Sequence, residues 1–130
     1  MPEDNNERIY VIDGSRFHDY SGLRTEFNNV VLANFDLKWN GGLDAFNDFL
    51  SWPDGPWIMV WKNSELSRRN LGYDAMAKLW ERFLTTCHPT NVVSMTEKLK
   101  AAQNGQGQTL FDLIVEIIQD NSDYVTLRLE

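Results

Sequence analysis

Trp57-Ile58-Met59-Val60-Trp61 is an uninterrupted apolar run. It lies between the breaker Ser51-Trp52-Pro53-Asp54-Gly55-Pro56 and the polar stop Lys62-Asn63-Ser64. A run this short, aromatic and β-branched reads as a strand covered on both faces, which is the pattern of a parallel sheet. Working towards the N-terminus, Arg8–Asp13 has the same character: Ile9, Tyr10, Val11 and Ile12 are continuous, and Asp13-Gly14 supplies the turn. This strand too is expected to be covered on both faces. Between the two runs, Leu23, Phe27, Val30 and Val31 give the helical spacing over Ser21–Val31, with Ser21 as the expected N-cap. Asn34–Gly42 reads as a connector ending in Asn40-Gly41-Gly42. Leu43 to Leu50 then forms a short helix, with Leu43, Phe46, Phe49 and Leu50 on one face.

Towards the C-terminus, Tyr73, Met76, Trp80, Phe83, Leu84 and Cys87 predict a helix that Pro89 blocks. Ser94-Met95-Thr96-Glu97 matches a capping box opening a shorter helix to Gln103. Asn104–Gln108 is a Gly-rich loop, and Thr109 caps an apolar helix over Leu110–Asp120. Tyr124–Leu129 alternates as a last strand. Strands separated by helical segments of this length must pair in parallel through crossovers. The expected fold is a small single-domain α/β protein, a three-stranded parallel sheet packed with helices. At 130 residues the chain suits one domain.

Charge narrows the function. Twelve Lys and Arg stand against 19 Asp and Glu, a net charge of −7. Such a surface repels phosphate backbones, so nucleic acid is not the expected ligand and a basic protein partner is. Cys87 is the single cysteine, so no internal disulfide is possible. No apolar run reaches the roughly 18 residues that cross a bilayer. The opening MPEDNNER is acidic and polar, unlike a secretory signal. A cytoplasmic, membrane-free protein is expected.

The acids fall into two clusters. Asp44 and Asp48 lie one turn apart on the short helix, with Trp39 and Asn40-Gly41-Gly42 before them and Asp54 adding a third charge after. An aromatic beside clustered carboxylates suits recognition of Arg and Lys side chains. Asp112, Glu116 and Asp120 follow at four-residue spacing on the helix before the last strand. The helix dipole explains Asp112 but neither Glu116 nor Asp120. Metal-ligand spacing is absent and no cofactor motif is present, so none is expected. A hydrolase would need His18 or His88 within hydrogen-bond reach of Asp44 or Asp48; a non-enzymatic protein is the expectation.

The segment Trp39-Asn40-Gly41-Gly42-Leu43-Asp44-Ala45-Phe46-Asn47-Asp48-Phe49-Leu50 resembles the aromatic-glycine-x-Asn-Leu-Asp-Ala-aromatic-x-Asp signature of the barstar family. These are small intracellular inhibitors of secreted bacterial ribonucleases. The opening strand Tyr10–Gly14, the strand Pro56–Trp61 and the closing Ser122–Leu127 correspond as well, so the resemblance covers about residues 8–62 and 109–130. It implies that Asp44 and Asp48 are the acids that plug an enzyme's phosphate site, Asp48 being the central one. Trp39 stands where the family has a contact tyrosine, Glu116 at its outlying glutamate and Asp120 at a rim acid. Asn40 occupies a usual Gly position, Gly42 a usual Asn position, and Lys38 replaces a second aromatic. Residues 1–7 form a polar extension and residues 64–108 a longer helical region than the family's.

The implied function is inhibition of a basic ribonuclease or nuclease toxin by Trp39, Asn40, Gly42, Asp44, Asp48, Glu116 and Asp120. The inhibitor is expected to be monomeric when free. The alternative is an immunity or adaptor protein that turns the same fold on a non-nuclease partner.

Overall fold

A computed structural model describes residues 8–53 and 55–130; the 1–7 extension and Asp54 lie outside the described residues. Strand β1 (Arg8–Asp13), β2 (Trp57–Lys62) and β3 (Val125–Leu129) form a three-stranded sheet in the order β1-β2-β3. Both pairings are parallel, with Ile9 opposite Ile58 and Ile58 opposite Thr126. The parallel α/β architecture read from the alternation of strands and helices is the observed one. Helices α1 (Tyr20–Val30), α2 (Leu43–Phe49), α3 (Ser64–Asn70), α4 (Tyr73–Leu84), α5 (Val92–Gln103) and α6 (Leu110–Asp120) complete the described fold, with 3-10 turns at Leu32–Phe35 and Pro89–Asn91.

β2 is central and buried from Trp57 to Trp61. One sheet face carries Ile12, Trp57, Met59, Trp61 and Val125 into the core shared with Leu23, Phe27, Phe46, Phe111 and Ile114. β1 departs from expectation. As an edge strand with period-two alternation it packs half-buried Tyr10 and buried Ile12 against the core but leaves Ile9 49% and Val11 38% exposed on the opposite face.

Helix ends moved for local reasons. Asp19, not Ser21, caps α1: its Oδ1 accepts from the Gly22 amide at 2.8 Å, and Ser21 falls inside the helix. The 34–42 connector is partly helical, because α1 runs into the turn Leu32–Phe35. α2 ends at Phe49 and α4 at Leu84, where the amides of Thr85, Thr86 and Cys87 close back on Arg82 and Phe83 carbonyls. Ser94 caps nothing; α5 starts at Val92 behind a turn in which His88 Nδ1 accepts from the Thr90 amide and the His88 carbonyl from the Asn91 amide. Thr109 does cap α6, its hydroxyl accepting from the Asp112 amide at 3.1 Å.

α3 carries no sequence signal, because SELSRRN has no apolar stripe. It is rooted at the strand ends. Ser64 reaches the Glu130 carbonyl through both amide and hydroxyl at 2.9 Å, and Trp61 Nε1 donates to Ser67 Oγ at 3.0 Å. Gly14 passes so close that a Cβ there would collide with Ser67 Oγ and the Asn63 carbonyl. Asp13 Oδ1 accepts from Asn63 Nδ2, the Ser15 amide and the Ser15 hydroxyl, which holds its carboxyl down to about 2.

The longer 64–108 region resolves into two parts. α3 belongs to the sheet, whereas α4 and α5 form an excursion that closes on itself. The Phe111 amide bonds the Leu71 carbonyl at 2.7 Å and the Leu110 amide meets the Gly72 carbonyl at 3.4 Å. The chain therefore leaves and re-enters the core at one point.

Candidate functional site

The 39–42 loop is fixed from below. Asn28, on α1, takes both backbone groups of Trp39: its Oδ1 accepts from the amide at 2.7 Å and its Nδ2 donates to the carbonyl at 2.9 Å. The Trp39 indole N–H donates to the Gly42 carbonyl at 2.7 Å, and the ring packs against Tyr20, Phe27 and Phe46 with centroids 5.6, 5.8 and 4.9 Å away. The Tyr20 hydroxyl donates to the Gly41 carbonyl at 2.6 Å. Burial pushes that phenol's pKa up, opposed by the charges of Arg82 and Arg24. Gly41 sits at φ +107°, a region open in practice to glycine alone. The turn between Trp39 and α2 is thereby set by the core.

This corrects the reading of Trp39 as a contact residue. Its side chain is fully buried, so no partner can touch it. It is the anchor that presents the loop. Asn40 and Gly42 are exposed, and the Asn40 carbonyl receives Arg24 Nη1 at 3.4 Å.

α2 starts at Gly42 with no side-chain cap; the Gly42 carbonyl accepts the first helical bond, from the Phe46 amide. Phe46 and Leu50 plug it into the core, which turns Asp44 and Asp48 to solvent. Asp44 in the first turn gains from the dipole; Asp48 in the last turn does not. α2 also meets the end of α6. Asn121 Nδ2 donates to Asn47 Oδ1 at 2.8 Å and to the Ile117 carbonyl at 2.8 Å. That side-chain bridge puts the Asp44/Asp48 helix against the α6 terminus that carries exposed Asp120 and, one turn earlier, exposed Glu116.

The three α6 acids then separate. Asp112 lies 3.6 Å from Arg68 and is absorbed by the fold. Among the described residues no lysine, arginine or histidine pairs with Asp44, Asp48, Glu116 or Asp120. Four exposed carboxylates on two bridged helices make a surface suited to cations, guanidinium groups above all.

Sequence reasoning missed Asn28, Asn47 and Asn121, which build the site without belonging to its charge pattern. A polar Asn28 one position from buried Phe27 was the available signal. It also missed an exposed aromatic pair, Trp52 (57%) and Tyr124 (50%), lining a groove of about 480 Å³ with Pro53, Pro56 and Asp123. The histidines lie elsewhere: His18 lines a cleft with Asp19 and Asp74, and the His88 ring is engaged by Thr90. No hydrogen bond joins either to Asp44 or Asp48 among the described residues. Among those residues no group of three or more His, Cys, Asp and Glu could hold a metal ion, and no helix is long and apolar enough to cross a membrane. Comparison with protein-family models, with curated proteins and with solved structures returns no match.

Proposed function

We propose that this protein is a barstar-like inhibitor, acting inside the cell on a basic ribonuclease or nuclease toxin. The observation that supports this reading is the Asn47–Asn121 bridge, which joins α2 to the C-terminal end of α6, two helices whose exposed carboxylates at Asp44, Asp48, Glu116 and Asp120 have no ion-pair partner among the described residues. A ribonuclease active site is a cationic cleft built for phosphates. Asp44 and Asp48 offer it carboxylates on a helix fixed by Phe46 and Leu50, and Glu116 and Asp120 extend the field over the rim. The block is steric and electrostatic, with no bond made or broken. Opposite charge speeds encounter, and desolvated charge-assisted hydrogen bonds slow release. Trp39 contributes by holding the loop.

The test is a titration of RNA cleavage by a panel of small basic secreted bacterial ribonucleases. One or more is expected to be inhibited stoichiometrically. Asp48→Ala should weaken that inhibition by about 2 kcal/mol or more, roughly thirtyfold, a magnitude taken over from inhibitors of the barstar kind. Inhibition that survives joint replacement of Asp44, Asp48 and Glu116 removes the site. Binding to a non-nuclease protein, with no ribonuclease inhibited, would instead favour the adaptor reading.

A further inference from the structure

The acidic face has a cationic neighbour that the net charge conceals. Lys38 and Arg24 wall a groove of about 300 Å³ beside Asn40. Arg24 then runs along the loop, its Cδ 3.7 Å from where a Gly41 Cβ would stand, with the Tyr20 ring at 3.8 Å. Tyr20 is also a wall of the next cleft, about 370 Å³, whose far side is Lys78 and Arg82 of α4. Lys38, Arg24, Arg82 and Lys78 therefore follow one another around the loop, and they come from three separate elements. They are four of the chain's 12 Lys and Arg. Among the described residues none of the four forms an ion pair. The cleft's own acids are Asp19, which is committed to capping α1, and Asp74, one turn before Lys78.

A protein meeting a uniformly basic partner gains nothing from cations beside its contact loop, since like charges across an interface cost affinity and slow association. The excursion matters here, because Arg82 and Lys78 reach the rim only through α4.

We propose that the binding surface is two-signed: the acids of α2 and α6 take the partner's cationic site, and Arg24, Lys38, Arg82 and Lys78 take an acidic patch beside it. This deepens the inhibitor reading and rests on it for the partner's class. The belt itself can be tested without that partner.

In the first arm, the ¹⁵N-labelled protein is titrated at low ionic strength with a hexaglutamate peptide and, separately, with hexalysine. Hexaglutamate should shift amides of Arg24, Lys38–Gly41 and Lys78–Arg82, and the shifts should vanish in Arg24→Gln/Arg82→Gln. Hexalysine should move Asp44–Asp48 and Glu116–Asn121 instead. Hexaglutamate shifts that are absent, or that centre on Arg68-Arg69 or Lys98–Lys100, overturn the belt. A failed hexalysine pattern strikes the acidic face and leaves the belt standing. In the second arm, Arg24→Glu/Arg82→Glu is assayed against a ribonuclease that the wild type inhibits. The sign decides. A two-signed surface loses at least fivefold in inhibition, whereas an unchanged or tightened inhibition means that the partner's facing surface is basic throughout and contradicts the proposal.

Discussion

Residues 39–50 and the α4–α5 hairpin are both surface elements, and they are attached in opposite ways. The first is short and sunk into the core. Trp39, Phe46 and Leu50 are each at most 1% exposed, every backbone group of Trp39 is bonded, and only Asn40, Gly42, Asp44, Asn47 and Asp48 face outward. The second is long and shallow. It buries Met76, Leu79 and Ala102, leaves Val93 71% exposed, and is pinched at one base. Charge on the first is presented from a rigid platform, so its geometry can match a partner before contact is made. Charge on the second is carried to the rim by an attachment. On the proposed function, the platform defines what is bound and the hairpin modifies it.

The comparison breaks most readily at Trp39. Trp39→Ala should cost about 3–5 kcal/mol in urea unfolding, because it opens a cavity where three aromatic rings meet. A loss below 1 kcal/mol would mean that the loop is not core-anchored. Asn28→Ala should cost about 1–3 kcal/mol by stranding the Trp39 amide and carbonyl, and should raise loop amide exchange ahead of exchange in α5. Equal changes in both regions would deny that Asn28 serves the loop. A smaller effect concerns the root of α3, from which the hairpin departs. The folded pKa of Asp13 lies below its ordinary 3.8, so its contribution is complete above that value and is lost as pH falls towards 2. Asp13→Asn should flatten the stability profile between about pH 4 and 2, and an unaltered slope there would contradict the Asn63 and Ser15 bonds. Val93→Ser on the hairpin should change stability by no more than about 0.5 kcal/mol.

Legibility followed the same divide. Continuous apolar runs at Arg8–Asp13 and Trp57–Trp61 are strong signals, and the parallel sheet followed from the lengths between them. The edge position of β1 was invisible, because exposure of Ile9 and Val11 depends on strand order and not on their own sequence. α3 is unreadable because its buried serines, Ser64 and Ser67, are held by hydrogen bonds to Glu130 and Trp61, so no apolar stripe marks it. The carboxylates of the site were legible by spacing. Their union was implied by the barstar resemblance alone; the residues that make it, Asn47 and Asn121, lie 74 positions apart and carry no charge. Nothing in the sequence marks Trp39 as buried, because only the fold brings Asn28 and the Gly42 carbonyl to its polar atoms inside the core. The cationic rim was unreadable for the same reason: Arg24, Lys38, Lys78 and Arg82 become neighbours only once α1 and α4 pack.

The central claim is that α2 and the end of α6 form one inhibitory face. Its most direct measurement is the amide shift footprint of the ¹⁵N-labelled protein on adding an inhibited basic ribonuclease. The account predicts perturbation concentrated at 40–48 and 116–121, extending to Arg24, Lys38 and Lys78–Arg82 through the cationic belt, with Val92–Gln103 unmoved. A footprint centred on α5 or on the Ile9–Val11 sheet face, with 44–48 and 116–121 silent, would contradict it.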